Sequence, residues 1–406
     1  MLIHHLSSAS FNGGAARAGY RLHQGLVAAG YTSRWLDAGR DSPQLPDVFR
    51  LRVARRLWKG WARLLRLDER RRFRRAFRAV SSVATLPSGR GKASSIAGAG
   101  WPEIFHFHWV SDFLDWDSAL PLLTSRVPVV WTLHDLNPLL GAWHYDPDVS
   151  ELNTKRIGWD NKLRIRKRSV LSKLRADRLA FVAPSNWIAA RARACEATAR
   201  FSVHQIPNTL NTETFCPGER DLMRMDLGLP LHAKIVGFVA ESLHSPRKGL
   251  SQLTEALAVL PANESVLLAT IGGNAGFEGN RYCFGTVTDE SRLRAFYAAC
   301  DIFVCPSLQD NLPNTVLEAM ACGTPVVAFD TGGLGDLVKQ DESGCLVKLA
   351  DVGALSRVIS ELLSDDARRL RMGRKARAVV EADFSPEVVA RRHIDLYREM
   401  IASSGM

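Results

Sequence analysis

The sequence predicts an α/β protein made of two doubly wound, mainly parallel sheets. Two observations point there. Short apolar runs alternate with helical stretches through both halves, as in sheets covered by helices on both faces. The 406 residues also divide by composition: all ten tryptophans lie between Trp35 and Trp187, and all seven cysteines between Cys195 and Cys345. With the Pro/Gly/Asn-bearing stretch Pro207 to Pro230, this predicts domains at 1–210 and 211–385. A last helix, 386–406, has no strand after it and is expected to pack back on the first domain. Two such domains are expected to face one another across a cleft, where the carboxyl ends of their strands meet.

In the first half, Leu2–Leu6, Ile104–Trp109, Val127–His134, Leu179–Ala183 and Ser202–Ile206 read as strands. Helical periodicity is clearest at Ala15–Ala29, with Tyr20, Leu22, Leu26 and Val27 for one face. In the second half, the strands are Lys234–Ala240, Val266–Ile271, Asp301–Cys305, Pro325–Phe329 and Cys345–Lys348. Helices are expected at Leu250–Leu260, Glu290–Ala299, Asn314–Ala321, Val352–Leu363 and Pro386–Met400.

Hydrophobic residues make up 46% and charged residues 23%, which excludes a mainly disordered chain. The start, Met1-Leu2-Ile3-His4-His5, lacks a basic segment before an apolar core, so no signal peptide is expected. No run reaches the ~18 apolar residues of a spanning helix. Seven cysteines without CxxC spacing suit a reducing cytoplasm. The net charge of +11 is local: Arg50–Arg78 carries 13 basic residues against Asp68 and Glu69, itself +11. Leu57, Trp58, Trp61, Leu64 and Leu65 are interleaved there. That segment reads either as a basic amphipathic helix on an anionic membrane surface or as a core-packing helix with a solvated arginine face.

The most informative stretch is Pro306-Ser-Leu-Gln-Asp-Asn-Leu-Pro-Asn-Thr-Val-Leu-Glu-Ala-Met-Ala-Cys-Gly-Thr-Pro-Val-Val-Ala328. It reads strand end, loop, helix, glycine stop, strand. Asp310 falls in the loop and Glu318 in the helix. Pro313 suits the first helical turn, and free N–H groups at Asn311 and Leu312 are expected to meet hydroxyl or phosphate oxygens. Glu318 can accept hydrogen bonds from a ribose diol; taken alone, it is more simply a solvated or capping helix residue. Arg247-Lys248-Gly249 opens a helix, where two cations oppose the helix dipole unless an anion joins them. It reads as a phosphate site or as a solvated basic pair. Thr331-Gly-Gly-Leu-Gly335 follows a strand; Gly332 and Gly333 allow backbone N–H groups close to a diphosphate, or make a plain turn. Gly13-Gly14 at the first strand–helix turn leaves room for acceptor or donor phosphates. His134 ends a strand, with Asp135 beside it.

The acidic-x7-Glu spacing of Asp310 and Glu318, followed by Ala-Met-Ala-Cys-Gly-Thr-Pro-Val-Val-Ala, resembles the signature of the family-four retaining glycosyltransferases (glycosyl transferases group 1). Gly13-Gly14-Ala15, Thr132-Leu-His-Asp135, Pro184-Ser-Asn-Trp187, Ile206-Pro-Asn208, Arg247-Lys-Gly249 and Thr331-Gly-Gly333 extend the likeness over most of the chain. The resemblance implies the GT-B fold and a nucleotide-sugar donor, UDP- or GDP-linked, held mainly by the second domain. It implies that Glu318 binds the ribose, and that Asp310, Asn311 and Leu312 bind the donor sugar. It places Lys248, with Arg247, and the loop of Gly332 and Gly333 at the diphosphate, and His134 at the donor sugar. Three departures stand out. Asp310 takes a position more often Glu, Asn311-Leu312-Pro313 replaces Gly-Phe-Gly, and Gly237-Phe-Val-Ala-Glu241 lacks the family's arginine.

The expected activity is a metal-independent, retaining hexosyltransferase that needs no cofactor. Its expected acceptor is a glycan or lipid-linked glycan of cell-envelope or exopolysaccharide synthesis, at the cytoplasmic face of a membrane docked through 50–78. Other readings are a GT-B enzyme with a soluble acceptor, sucrose-synthase-like or an epimerase, and a basic nucleic-acid-binding protein. The last leaves the Pro306–Ala328 motif unexplained and has no nucleic-acid fold signature, so no nucleic-acid partner is expected. Asp115-Trp-Asp117 fits an Asp-x-Asp metal pattern but lies in the wrong domain and reads as a helix start.

Overall fold

The computed structural model describes residues 1–7, 13–37, 48–50, 71–77, 101–110, 116, 120, 123–260 and 265–405. The chain forms two compact units, one of Met1–Ile206 with Ala390–Met406, the other of Pro207–Val389.

The first unit is a seven-stranded sheet of order β3-β2-β1-β4-β5-β6-β7, with every pairing parallel. Its strands are β1 (Leu2–Ser7), β2 (Thr32–Asp37), β3 (Val48–Arg50), β4 (Ile104–Phe107), β5 (Val129–Thr132), β6 (Leu179–Ala183) and β7 (Ser202–Gln205). β4, β5 and β6 are buried along their whole length, as central parallel strands require. Helix α1 (Gly14–Ala28) presents Ala16, Ala18, Gly19, Leu22 and Leu26 to the sheet. Gly19 is required by packing: a Cβ there would lie 2.8 Å from His108 Nδ1 and 2.9 Å from the Trp35 ring. A second basic stretch, Lys155 to Arg178, lies mostly in α2 (Thr154–Leu171), capped by Asn153, whose side chain accepts from the Arg156 N–H. Helix α3 (Asn186–Ala194) is capped in the same way by Ser185.

The second unit carries α4 (Arg220–Leu227), β8 (Lys234–Val239), α5 (Leu250–Ala258), β9 (Val266–Glu278), β10 (Arg281–Gly285), α6 (Glu290–Ala299), β11 (Ile302–Cys305), α7 (Asn314–Ala321), β12 (Val326–Phe329), the short α8 (Leu334–Leu337), β13 (Gly344–Val347), α9 (Val352–Ser364) and α10 (Asp366–Asp383). Its sheet has the order β10-β9-β8-β11-β12-β13. Successive strand residues point to opposite faces, and two separate cores result. Ile235, Phe303, Cys305, Val326 and Ala328 pack with α6, α7 and α10 on one face. Val236, Phe238, Ile302, Val304, Val327 and Phe329 pack with α5 and α9 on the other. Asp301, just before β11, ties this unit together: its carboxylate accepts from Arg224 (2.8 Å), Arg220 (3.2 Å) and the Ile235 N–H (2.7 Å). The final helix, α11 (Pro386–Ser403), begins in the second unit and joins the first from Ala390 onward. There Tyr397 Oη lies 2.6 Å from His106 Nδ1, and the Arg178 guanidinium donates to the Ser404 carbonyl at 2.6 Å.

All seven cysteines are free thiols. Among the described residues, no helix is long and apolar enough to cross a membrane.

Candidate functional site

In each sheet the strand order reverses beside its first strand, between β1 and β4 and between β8 and β11. Ligands of open parallel sheets bind outside the carboxyl ends of the strands at such a point. In the second unit, the loops leaving β8, β11 and β12 converge there. The Lys248 ammonium donates to Asp310 Oδ2 at 2.6 Å, and Arg247 Nη1 lies 3.5 Å from the same oxygen. Arg247 also donates to the Gln309 carbonyl at 2.6 Å, while the Leu308 N–H donates to the Arg247 carbonyl at 2.8 Å. Ser307 Oγ donates to Asp310 Oδ2 at 3.2 Å, and the Asn311 N–H to Oδ1 at 3.1 Å. Burial pushes the Asp310 carboxyl up, but Lys248 and Arg247 outweigh it and hold the group below its ordinary value. The two cations each keep about a fifth of their side-chain surface in solvent (22%), against 8% for Asp310. They can therefore reach a bound anion while Asp310 holds them in place.

Two glycines make the convergence possible. Gly249 has φ +74°, and a Cβ there would lie 1.8 Å from the Pro306 carbonyl oxygen. Gly332 has φ +58°, and a Cβ would lie 1.7 Å from the Asp310 carbonyl oxygen. The third loop is fastened by the Gly333 N–H, which donates to that same oxygen at 3.1 Å.

Four details differ from the sequence expectation. The Asn311 N–H is not free, because the short Asp310 side chain folds back onto it. The Gly333 N–H is engaged by Asp310 rather than open to a diphosphate. Arg247 and Lys248 occupy a 3-10 turn, Pro246–Lys248, and Gly249 caps the helix that follows, so they do not oppose its first turn. Pro313 is the cap residue of α7 rather than part of its first turn. Leu312 is buried, and its carbonyl accepts from the Asn208 side chain at 3.1 Å. Glu318 is almost completely buried on α7, and the Tyr297 hydroxyl donates to its carboxylate at 2.8 Å. It is neither solvated nor a cap.

In the first unit, His134 follows β5, and its Nε2 lies 3.1 Å from His108 Nδ1. Burial lowers its pKa to about 4, against a small opposing pull from Asp135. Asp135 is turned away from it: its carboxylate accepts from the Asn137 N–H at 2.8 Å and pairs with His144 Nδ1 at 2.6 Å. Behind this loop, the buried Lys167 ammonium donates to the Asn137 carbonyl and, at 3.0 Å each, to Asn137 Oδ1 and the Leu140 carbonyl. A cavity of about 20 Å³ beside His134 has Trp109, Trp116 and Trp131 among its walls. Gly13 and Gly14 sit at the start of α1, and Gly13 is its cap.

Most of the expected membrane segment lies outside the described residues, as do Asp115 and Asp117 of the Asp-x-Asp pattern. In the described part, 71–77, Phe73 and Phe77 are buried, stacked 4.4 Å apart, and packed edge-on against Trp159 and Trp143. Arg72 and Arg75 line a groove of about 450 Å³ with Lys155, Trp159 and Lys162 of α2. Sequence reasoning missed this groove, the Lys167 anchor, and His5 and His108 behind His134. The available signal for the last was the alternate-position pair His106-Phe-His108 in an apolar run.

Residues 12–214 match Glycosyltransferase Family 4, and residues 219–379 match Glycosyl transferases group 1. A D-inositol 3-phosphate glycosyltransferase of Xylanimonas cellulosilytica is 29% identical over 348 residues, covering 78% of this chain and 76% of that protein. The fold is similar to that of sucrose-phosphate synthase from Thermosynechococcus elongatus, with TM-score 0.73 and 21% identity over 99% of this chain and 100% of that one. It is also similar to Anabaena HepE, solved with UDP-glucose, with TM-score 0.67 and 17% identity over 98% and 99% of the two chains. The chain belongs to glycosyltransferase family 4, and is a GT-B enzyme that transfers a sugar from a nucleotide-sugar donor to an acceptor.

Proposed function

We propose that the protein is a retaining hexosyltransferase that moves a sugar from a UDP- or GDP-sugar to a glycan or lipid-linked glycan in cell-envelope polysaccharide synthesis. The observation that carries the reading is the joint hold of Asp310 on Lys248 and Arg247, at the point where the second sheet reverses order. Breaking the sugar–phosphate bond leaves negative charge on a nucleoside diphosphate. Two cations already fixed by a carboxylate and by backbone stabilise that charge with little reorganisation. In this reading the second unit binds the donor, with Glu318 on the ribose hydroxyls. Asp310 and the loop through Asn311 and Leu312 set the donor sugar, and the turn of Gly332 and Gly333 closes over the diphosphate. The first unit takes the acceptor, with His134 directed at the reacting sugar and Gly13-Gly14 leaving space at the start of α1. The groove of Arg72, Arg75, Lys155 and Lys162 suits a phosphate-bearing acceptor or an anionic lipid surface.

A second reading, transfer to a small soluble phosphorylated polyol, is favoured by the name shared by the similar curated proteins. The deciding experiment is a thermal-shift screen against UDP-, GDP-, ADP- and CMP-sugars, since a ligand bound only by the folded state raises Tm. Sedimentation with anionic and neutral liposomes at low salt then separates the acceptor readings. Binding to anionic vesicles alone supports the lipid-linked one; no binding to either supports the soluble one.

A further inference from the structure

Histidines gather in the first unit. The chain has eleven, and His4, His5, His23, His106, His108, His144 and His393 are all buried there. The sheet explains part of the grouping. β1 and β4 are parallel neighbours with His5 paired to His106, and His108 follows two positions later on the same face. His134, two residues beyond Thr132 of β5, joins that face at the strand ends. The Trp35 ring lies against both His5 and His108, with centroids 5.9 Å and 5.4 Å away. Gly19 of α1 leaves just the space that the His108 ring occupies.

The rings form a continuous chain. His5 Nδ1 lies 2.9 Å from His108 Nε2, and His108 Nδ1 lies 3.1 Å from His134 Nε2. Neutral imidazole carries one N–H and one bare nitrogen, so the chain has only two polarities. Either each ring donates toward His134, or each donates away from it. The far end decides between them. His5 Nε2 is buried and has no partner among the described residues. If the chain ran away from His134, His5 would carry an orphaned N–H there. If it runs toward His134, only a bare acceptor is left, and buried orphan N–H groups are the rarer, costlier case.

We propose that His5 and His108 are positioning residues that lock His134 as its Nδ1–H tautomer, with Nε2 accepting from His108. The lock orients the imidazole at the end of β5 and leaves Nδ1–H as its donor. Its consequence for catalysis rests on the reading that His134 works at the reacting sugar. The chain stays neutral because burial disfavours every added charge, and neighbouring histidines oppose one another: His5, His106 and His108 are all held well below 6.5.

A metal ion held by His5, His106 and His108 is the competing account, since their nitrogens lie within 4.8 Å of one another. Two observations oppose it. Both His106 nitrogens are engaged, Nδ1 with the Tyr397 hydroxyl at 2.6 Å and Nε2 with the Thr132 hydroxyl at 2.7 Å. The 2.9 Å between His5 and His108 is a hydrogen-bond separation. Two nitrogens on one tetrahedral zinc, each ~2.05 Å from it, would stand ~3.3 Å apart.

The test is long-range ¹⁵N–¹H NMR of the full-length protein with ¹⁵N-histidine. His134 is assigned from His134→Gln, and the fold of each variant is checked by its melting curve. The expected result is His134 as Nδ1–H in the wild type, a mixture of tautomers in His5→Leu, and recovery in His5→Gln, whose amide can donate to His108. An Nε2–H tautomer at His134 in the wild type, an unchanged tautomer in folded His5→Leu, or stoichiometric zinc in the purified protein would overturn the proposal. Turnover is read separately. If the tautomer shifts and kcat falls at least tenfold with donor KM unchanged in His5→Leu, the relay serves the reaction. If it shifts while kcat holds, the relay stands and the placement of His134 at the sugar fails.

Discussion

Lys248 and Asp310 make a pair whose members have different tasks. In the proposed reaction the Lys248 ammonium meets the charge that grows on the leaving diphosphate, and Asp310, 2.6 Å away, keeps it in place between turnovers. On that reading, Lys248→Ala removes an interaction strongest in the transition state. A fall in kcat of order 10²-fold is expected, with a smaller change in donor KM; steady-state kinetics that show raised KM and normal kcat would assign Lys248 to ground-state binding only. Glu318 differs, because its partner inside the fold is the Tyr297 hydroxyl. A glutamine carbonyl at the same place still accepts from Tyr297, so Glu318→Gln is expected to melt near the wild-type temperature. It is also expected to lose about 1.5–3 kcal/mol of donor affinity, the worth of a charge-assisted bond to a ribose hydroxyl. Calorimetry with the donor nucleotide checks this, and unchanged affinity would remove Glu318 from the site.

Among the elements, the loop from Leu133 to Tyr145 is held from behind by α2. Lys167 offers three N–H donors to three oxygens of that loop, and Asp160 Oδ1 accepts from the Ala142 N–H at 2.7 Å. Burial drives the Lys167 pKa down to about 7, with Asp135 and Asp160 pulling the other way. The three-oxygen cage favours the charged form. Lys167→Met fills the space but leaves the oxygens unpaired, so a loss of about 3 kcal/mol is expected in urea unfolding. Stability equal to wild type would show that this loop finds other donors. α2 was not predicted from the sequence, because an 18-residue helix with few apolar residues carries little periodic signal. Its start was legible in Asn153, which caps it. β10 and α10 escaped for a related reason: Arg281–Gly285 is a short edge strand, and α10 is largely polar.

Across the molecule, the buried histidines are expected to make the protein acid-sensitive. His4 and His134 have pKa values lowered to about 4, chiefly by burial, and His5, His106 and His108 lie well below 6.5. Unfolded histidine binds protons near 6.5, so below that pH the unfolded chain takes up protons that the folded chain refuses. Stability therefore rises with pH in this window and is fully present above about 6.5. Each histidine kept neutral costs about 1.4 kcal/mol per pH unit below its unfolded value. A steep fall in Tm from pH 6.5 to pH 4, and little change from pH 7 to 8, is the expected calorimetric result. A flat profile between pH 6.5 and 5 would contradict the burial of these rings.

What the sequence determined by itself was what local pattern encodes. Apolar runs with helices between them specify doubly wound sheets, because strands buried on both faces must be apolar throughout. The Asp310-to-Glu318 spacing specifies the loop and helix that follow β11, because both lie in one continuous segment. The tertiary structure decided what depends on distant segments meeting. Arg247 and Lys248 meet Asp310 only because β8 and β11 are adjacent, and Gly332 must be glycine because the next loop folds onto the Asp310 backbone. His5, His108 and His134, more than a hundred residues apart at the extremes, share a hydrogen-bonded chain only through the parallel register of β1 with β4 and of β4 with β5. No window along the chain contains that register: it arises from the strand order, which is settled when the whole sheet buries its faces.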